Sequence, residues 1–538
     1  MKRSLFYVLL VSAVLLLFHS GKWGVIETSE ARYAEISKEM LSNNDYLHPK
    51  LLEINHFHKP PVTYYITVLG YKIFGVDEFG ARFFLQIAIL IQLILIYHIT
   101  FLLFKEKCLA LTAVLIYFSL PLVLISSRNL TTDAYLNTFI LTSVYLWLYY
   151  KERGKLFLLY LYYLTLGVIF ETKGPVGLLF PVIFIISHKI IFKEKIEKNI
   201  HQLFGILLFL VVSAAWYLAL AIKNPNIIDY FINHQLKDRM LTNAFNRGKP
   251  FWFYLVTVPL AGLPWAVILV LYLKSKLKQI LKERKTMLVL YVTILAIFVL
   301  FSAFDTKLIF YVLPMFGFMA IITAKILSDV SQKTLGIYNK VLFGLGILFL
   351  FVLFLADVVN IGYRFNLTFA IVLAISTVIA CLLILKYQSG YLKTAALGYL
   401  FGCLLLVGGT IILTENQDRL NSTKHAIKFI NNQLKDVKNI VVYNYLMPST
   451  KFYSDKPIIT LNDGHNTANR ETQFETNLKW KQHLIDVRTE NGRQRADSIL
   501  KHESVLISRK KVELPDYLDF LNHPPFQKKE FGKWVIYY

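Results

Sequence analysis

The stretch MLVLYVTILAIFVLFSAFDTKLIFYVLPMFGFMAIITAKI, residues 287–326, holds two apolar runs separated only by Phe304-Asp305-Thr306-Lys307. A helix needs about 20 mostly apolar residues to cross a bilayer. The runs at 287–304 and 308–326 are each long enough, so the short link must reverse the chain at a membrane surface. Immediately before them, KSKLKQILKERK at 274–285 sets a basic cluster between this pair and another apolar run at 252–273. Alternation of this kind describes a polytopic α-helical membrane protein.

Further runs near 5–20, 83–104, 107–125, 134–150, 156–170, 175–192, 203–222, 341–358, 366–386 and 394–414 bring the expectation to about 13 transmembrane helices. Of the 538 residues, 55% are hydrophobic and 17% charged, which excludes an ordinary soluble protein. A formal charge of +23 in a soluble chain would suggest nucleic acid. Here much of the basic charge lies in short loops, where it orients helices and meets anionic lipid, so no nucleic-acid partner is expected. Cys108, Cys381 and Cys403 show no metal or redox spacing. The start, MKRSLFYVLLVSAVLLLFHSGKW, resembles a signal peptide but lacks a small-x-small cleavage site, and reads as a retained first helix.

Alternate loops separate by charge. One set carries Lys2 and Arg3, Lys105 and Lys107, Lys151 to Lys155, Lys189 to Lys198, the 274–285 cluster, Lys325 to Lys340, and Lys386 with Lys393. The positive-inside rule makes that face cytoplasmic, together with the N-terminus. The expected domains are a transmembrane domain at 1–414, with 21–82 as a first outer loop bearing amphipathic helices, and a small extracytoplasmic α/β domain at 415–538. The latter reads as helix 423–434, strand NIVVYNY, helix, strand PIITLN, a long helix through 471–501, strand SVLIS, helix and terminal strand KWVIYY.

On the outer face, charged residues stand singly at helix mouths, which marks a site. SEARYAEISKEML, 29–41, predicts an amphipathic helix on the membrane, capped by Thr28 or Ser29, with Glu27, Glu30 and Arg32 on its wet face or in a cavity. Asp133 opens a helix as a cap or faces that loop as a general base. Lys59, Arg128, Lys173, Arg239, Arg247 and Lys307 contact headgroups or clamp a phosphate, and Lys173 and Lys307 sit in the shortest loops. His56, His58 and His234 are structural or offer imidazoles to a zinc-like divalent metal. In INHFHKPPVTYY, 54–65, Pro60-Pro61 stiffens the return to the membrane, and Tyr64 and Tyr65 suit an interfacial belt.

These motifs resemble a known family. SEARYAEISKEML, DYLHPKL, FHKPPVTYYITVLGYKIFGVDEFGAR, TTD at 131–133, TKGPVGLLFP, NHQLKDRM, KPFWFYL and TKLIFYVLP stand in the order of the lipid A aminoarabinose transferases (ArnT). More broadly they resemble the GT-C membrane glycosyltransferases that include the protein O-mannosyltransferases. The resemblance covers roughly residues 1–330 and implies GT-C architecture with a periplasmic active site in a bacterial inner membrane. It implies transfer of a sugar from a polyprenyl-phosphate donor to lipid A, a glycan or a protein. It also implies catalytic carboxylates at Glu30 and Asp133, with Lys59 near the donor phosphate and Lys173, Lys307 and Tyr311 at other cavity positions; Arg128 joins the donor-phosphate set from its place on the outer face. The family's usual Asp-Glu pair reads Ser29-Glu30 here, so Glu30 or Glu27 must replace the missing Asp. Its Phe-Glu-Lys-Pro reads Phe57-His58-Lys59-Pro60, so a metal there would use His58 with His234 and lose a negative ligand. The rival readings are a protein O-mannosyltransferase-like enzyme and a lipid-linked sugar transporter. A transporter should carry charge at the bilayer midplane and paired repeats, and neither is visible.

Overall fold

The computed structural model describes residues 2–195, 199–224, 227–231, 248–358, 363–466 and 468–538. These form two compact units, one of residues 1–18, 85–128 and 132–415, the other of 19–84, 129–131 and 416–538. The first outer loop thus folds with the C-terminal segment rather than as an appendage of the helical bundle.

The first unit is helical. Its elements include α1 (Lys2–Leu17), then, beyond α2 (Ser29–Asn43) and α3 (Val62–Phe74) of the second unit, most of α4 (Glu78–Phe104). There follow α5 (Lys107–Phe118), α6 (Pro121–Ser126), α7 (Thr132–Arg153), α8 (Leu156–Lys173), α9 (Leu179–Phe192) and α10 (Ile200–Lys223). After these come α11 (Phe253–Ala261), α12 (Trp265–Glu283), α13 (Lys285–Ala303), α14 (Leu313–Asp329), α15 (Gln332–Val358), α16 (Leu367–Tyr387) and α17 (Gly390–Glu415). Among the described residues nine helices are long and apolar enough to cross a membrane, or ten if α11 and α12, bent by 116°, are one span. The bend falls at Gly262-Leu263-Pro264, where proline cannot continue the α11 hydrogen-bond ladder. This is a multi-pass membrane protein.

Every run expected to cross is helical, and the lower count has physical causes. α1 and α5 are short, and α7 is polar along its buried side. There Asn137 donates to Gln92 Oε1 (3.1 Å) and to the Tyr117 hydroxyl (2.8 Å), which itself donates to Gln92 (2.6 Å). Such bonds satisfy polar groups where hydrocarbon offers no partner.

In the second unit α2 is not the surface helix expected. Glu30, Glu35 and Glu39 are buried along with Ala31, Tyr33, Ala34, Ile36 and Met40, and Thr28 makes no side-chain cap bond. The acids turn inward because backbone donors await them. β1 (Lys50–Leu51) and β2 (Ile54–Asn55) form a hairpin whose turn residues Leu52 and Glu53 have φ of 53° and 66°. Both positive values fit a two-residue turn of the primed type. The Leu52 amide donates to Glu35 (3.2 Å) and the Glu53 amide to Glu39 (2.9 Å). Tyr64 is also corrected: its ring is fully buried against Tyr33, while Tyr65 stays exposed and donates to the Tyr46 carbonyl (2.8 Å).

The C-terminal segment builds a six-stranded sheet from β3 (Asn439–Tyr443), β4 (Ile458–Asn462), β5 (Leu484–Asp486), β6 (Ser504–Arg509), β7 (Lys528–Phe531) and β8 (Trp534–Tyr537), in the order β5-β4-β3-β6-β8-β7. The first four are parallel and the last two antiparallel. The long helix expected through 471–501 is broken by β5, and only Glu490–Leu500 is a sustained helix there. Leu484 and Ile485 pair with β4 instead, and the Thr489 hydroxyl accepts the Gly492 amide to start the helix afresh. Gly492 is required, since a Cβ there would lie 1.9 Å from the Asp486 carbonyl.

Candidate active site

In the first unit, two helix ends bring the expected Asp133 and Lys173 together. Asp133 lies in the first turn of α7, and Lys173 is the last residue of α8, where Gly174, at φ 73°, lets the chain turn away at once. Lys173 Nζ donates to Asp133 Oδ1, and the same ammonium stands 4.2 Å from the centre of the Tyr311 ring. Tyr311 comes from the short 3-10 turn Ile309–Val312 that follows the polar link of the opening stretch. The Tyr254 hydroxyl donates to the Leu308 carbonyl (3.0 Å) at the base of that turn. Tyr254 is not singled out in the sequence, where KPFWFYL counts only among the family motifs; its burial within the turn's packing is the signal that finds it.

Lys307 is buried and donates to the carbonyls of Lys249 (2.9 Å) and Phe304. It ties the 248–250 segment to the reversal at 304–308. Arg128 differs from the expected phosphate ligand more plainly. Its guanidinium donates to Thr410 Oγ1 (2.9 Å), Gln86 (3.4 Å) and the carbonyls of Leu15 (2.9 Å) and Leu16, so it fastens α1, α4 and α17. An apolar cavity of about 690 Å³ among α1, α5, α16 and α17 has room for hydrocarbon and no titratable acid or base in its lining besides Tyr7, Tyr399 and Cys403.

In the second unit, Glu30 is held on all sides. Arg82 Nε and Nη2 donate to its two oxygens (2.8 and 2.9 Å), and the amides of Ile26 (2.9 Å) and Leu130 (3.2 Å) complete the set. Arg82 also donates to the carbonyls of Ser20, Trp23 and Gly24 and lies 4.3 Å from the Trp23 ring centre. These bonds tie Glu30, in the first turn of α2, to Arg82, to the loop before α2 and to Leu130. Glu27, the other substitute considered, accepts from the Ser449 amide (2.7 Å). Ser29, at the position of the missing Asp, is exposed.

The stretch 54–59 lies against residues 471–475. Phe57 packs on Phe474 (5.0 Å between ring centres), and the Asn55 amide donates to Glu475 (2.7 Å). His56 and His58 face each other at 4.3 Å, and with Glu471 they present three ligand atoms all within 4.8 Å of one another. Glu471 was not anticipated, because the helix expected through it hid its approach to the first loop. His234, Arg239 and Arg247 lie outside the described residues. Burial, and then the charges of His58, Arg32, Arg470 and Lys59, hold the His56 imidazole well below its ordinary pKa. Arg32, Arg470 and half-buried Lys59 thus form a cationic neighbourhood around it.

Burial raises the Glu27 carboxyl to about 7, and burial followed by the Glu53 charge raises Glu39 to about 7. In the unfolded chain both titrate near ~4.3. Between those values the folded state holds the extra protons, so stability falls as pH rises through the window. The unfolding midpoint of the second unit, followed by hydrogen exchange, is expected to drop from pH 5 to pH 8. Glu39→Gln should flatten that slope; an unchanged slope would remove Glu39 as a source.

Comparison with known proteins adds to this geometry. Residues 58–218 match the family model described as dolichyl-phosphate-mannose-protein mannosyltransferase. The crystal structure of ArnT from Cupriavidus metallidurans bound to undecaprenyl phosphate superposes with a TM-score of 0.80 at 20% identity, over 100% of this chain and 98% of that one. The chain has the ArnT-like GT-C fold. In sequence it is 29% identical to the undecaprenyl phosphate-alpha-4-amino-4-deoxy-L-arabinose arabinosyl transferase 2 of Proteus mirabilis, over 57% of this chain and 56% of that protein. It is 28% identical to the corresponding transferase of Photorhabdus laumondii, over 62% of each. The chain thus matches little more than half the length of these curated relatives.

Proposed function

We propose that the protein is a membrane glycosyltransferase that moves a sugar, aminoarabinose-like, from a polyprenyl-phosphate donor to lipid A or another envelope acceptor. The observation that carries this reading is the Asp133–Lys173 pair over Tyr311, in a chain with the ArnT-like fold. Each charge masks the other in the unliganded pair. A donor phosphate competes for the Lys173 ammonium and frees the Asp133 carboxylate. The acceptor hydroxyl oxygen then attacks the anomeric carbon, and the bond from that carbon to the phosphate oxygen breaks with its electrons going to phosphate. Asp133 takes the hydroxyl proton, and the configuration inverts. Because phosphate leaves readily, stabilising its charge by cations matters more than protonating it. Lys59 is assigned to phosphate recognition on the likeness of Phe57-His58-Lys59-Pro60 to the family's motif. Glu30 acts by positioning. The bilayer is a bacterial inner membrane, with Asp133 at its periplasmic end and the N-terminus cytoplasmic.

The test is transfer from a synthetic polyprenyl-phosphate aminoarabinose to lipid A in proteoliposomes, followed by mass spectrometry. Product formation that depends on donor is expected; none with any polyprenyl-phosphate sugar would overturn the reading. The match to a protein mannosyltransferase family favours protein as a second acceptor class, and a peptide acceptor in the same assay decides between them.

The metal expectation shifts its ligands. His56 Nε2 is buried without a hydrogen-bond partner among the described residues, and two imidazoles with one carboxylate suit a zinc-like divalent ion. His56, His58 and Glu471 would hold it, and it would supply a cross-link between the first loop and the C-terminal segment. Metal content by elemental mass spectrometry is expected at one per chain and to fall at least tenfold in Glu471→Ala, the scale on which supporting groups alter metal affinity. Equal content in the variant would remove Glu471 from the site.

A further inference from the structure

At the far end of α7 from Asp133, a separate polar cavity of about 110 Å³ opens among the ends of α7, α8, α9 and α10. Lys151 follows Asp133 by 18 residues of α7, or about 27 Å at the rise of an α-helix, so this cavity shares nothing with the candidate active site. Trp147 and Tyr162 form buried walls, and Lys151, Lys189, Glu194 and Lys195 line the rim. Lys151 pairs with Glu194 and also stands 5.0 Å from the Trp147 ring centre. His188 Nδ1 approaches the same Glu194 at 3.4 Å. The only described acid of the lining is therefore already answered. Among the described residues neither Lys189 nor Lys195 pairs with an acid.

The size narrows the ligand. A cavity of about 110 Å³ falls well below the ~300 Å³ at which ordinary small-molecule pockets begin. It suits one compact oxyanion better than a whole sugar or nucleotide. Aromatic walls lower the local dielectric, which strengthens attraction to the Lys189 and Lys195 ammonium groups. The position, at the ends of four helices on the basic face, is the depth of lipid headgroups.

We propose that this cavity binds a phosphate group, either the phosphodiester of an anionic phospholipid or a free phosphate on the basic side of the membrane. Lys189 and Lys195 supply the charge, and Lys151 stays with Glu194. The site is independent of the transfer reaction, so its failure would leave the reading of Asp133 untouched.

Native mass spectrometry of the full chain released from nanodiscs tests the proposal, with phosphatidylglycerol against phosphatidylcholine in one arm. Inorganic phosphate is titrated into the detergent-solubilised chain in the other. Lys189→Gln/Lys195→Gln should retain phosphatidylglycerol about 25-fold less, about fivefold per lysine, while Lys340→Gln on the same face behaves as the unaltered chain. Lysine-dependent retention of phosphatidylglycerol assigns the lipid source, and lysine-dependent binding of inorganic phosphate alone assigns the free one. Equal retention of both lipids with no lysine-dependent phosphate binding overturns the proposal. So does undiminished binding in the double variant.

Discussion

Asp133→Asn is expected to lower donor-dependent transfer by about 10²–10⁴-fold, the usual range for removing a general base. Asparagine keeps the size of the side chain but can neither take the acceptor's proton nor pair with Lys173 as an ion. The protein should still insert and unfold normally, because Asp133 lies in the first turn of α7 and the helix is held by the packing of its remaining length. Lys173→Gln should act differently, raising the donor KM more than it lowers kcat, since its ammonium is assigned to phosphate. The double variant should lose less than the product of the two, because each single change already breaks the pair. Radiolabel transfer in proteoliposomes measures all three, and undiminished turnover in Asp133→Asn would remove this residue from the mechanism.

Arg82→Leu is expected to destabilise the second unit by about 3–5 kcal/mol. Among the described residues, the substitution strands the buried Glu30 carboxylate with the Ile26 and Leu130 amides as partners. It also leaves the carbonyls of Ser20, Trp23 and Gly24 without their guanidinium donor. Adding Glu30→Gln to Arg82→Leu should recover part of the loss, because the buried charge is then gone. Hydrogen exchange over residues 19–84 gives the measurement. An Arg82→Leu chain as stable as the parent would show that Glu30 has another charge partner.

The bundle was legible from apolar length alone. Residues 287–304 and 308–326 became α13 and α14, and the link between them carries Lys307 and leads to Tyr311. Polar α7 was read as a span from its remaining apolar residues, although its hydrogen bonds to Gln92 and Tyr117 make it a poor match to bulk hydrocarbon. Local patterning could not reveal where α2 sends its acids. Glu30, Glu35 and Glu39 look solvated until Arg82 and the turn amides of Leu52 and Glu53 are brought to them. The same limit hid Glu471, whose partners His56 and His58 lie over 400 residues away, and broke the helix drawn through 471–501. The positions of Asp133 and Lys173 were legible because each sits at a helix end beside a short link, where sequence fixes position closely. Arg128 had that signature too, and only three-dimensional packing shows it fastening helices.

The second unit joins residues 19–84 to residues 416–538. A ribosome working at about 5–20 residues per second needs roughly 17 to 66 s to make the 332 residues from 84 to 416. During that interval Glu27 lacks the Ser449 amide, and Phe57 and His58 lack Phe474. The first loop must therefore wait, across almost the whole insertion of the bundle, for the last segment to emerge. A chain truncated before residue 416 would keep its helices while leaving this loop as a permanent target for proteolysis.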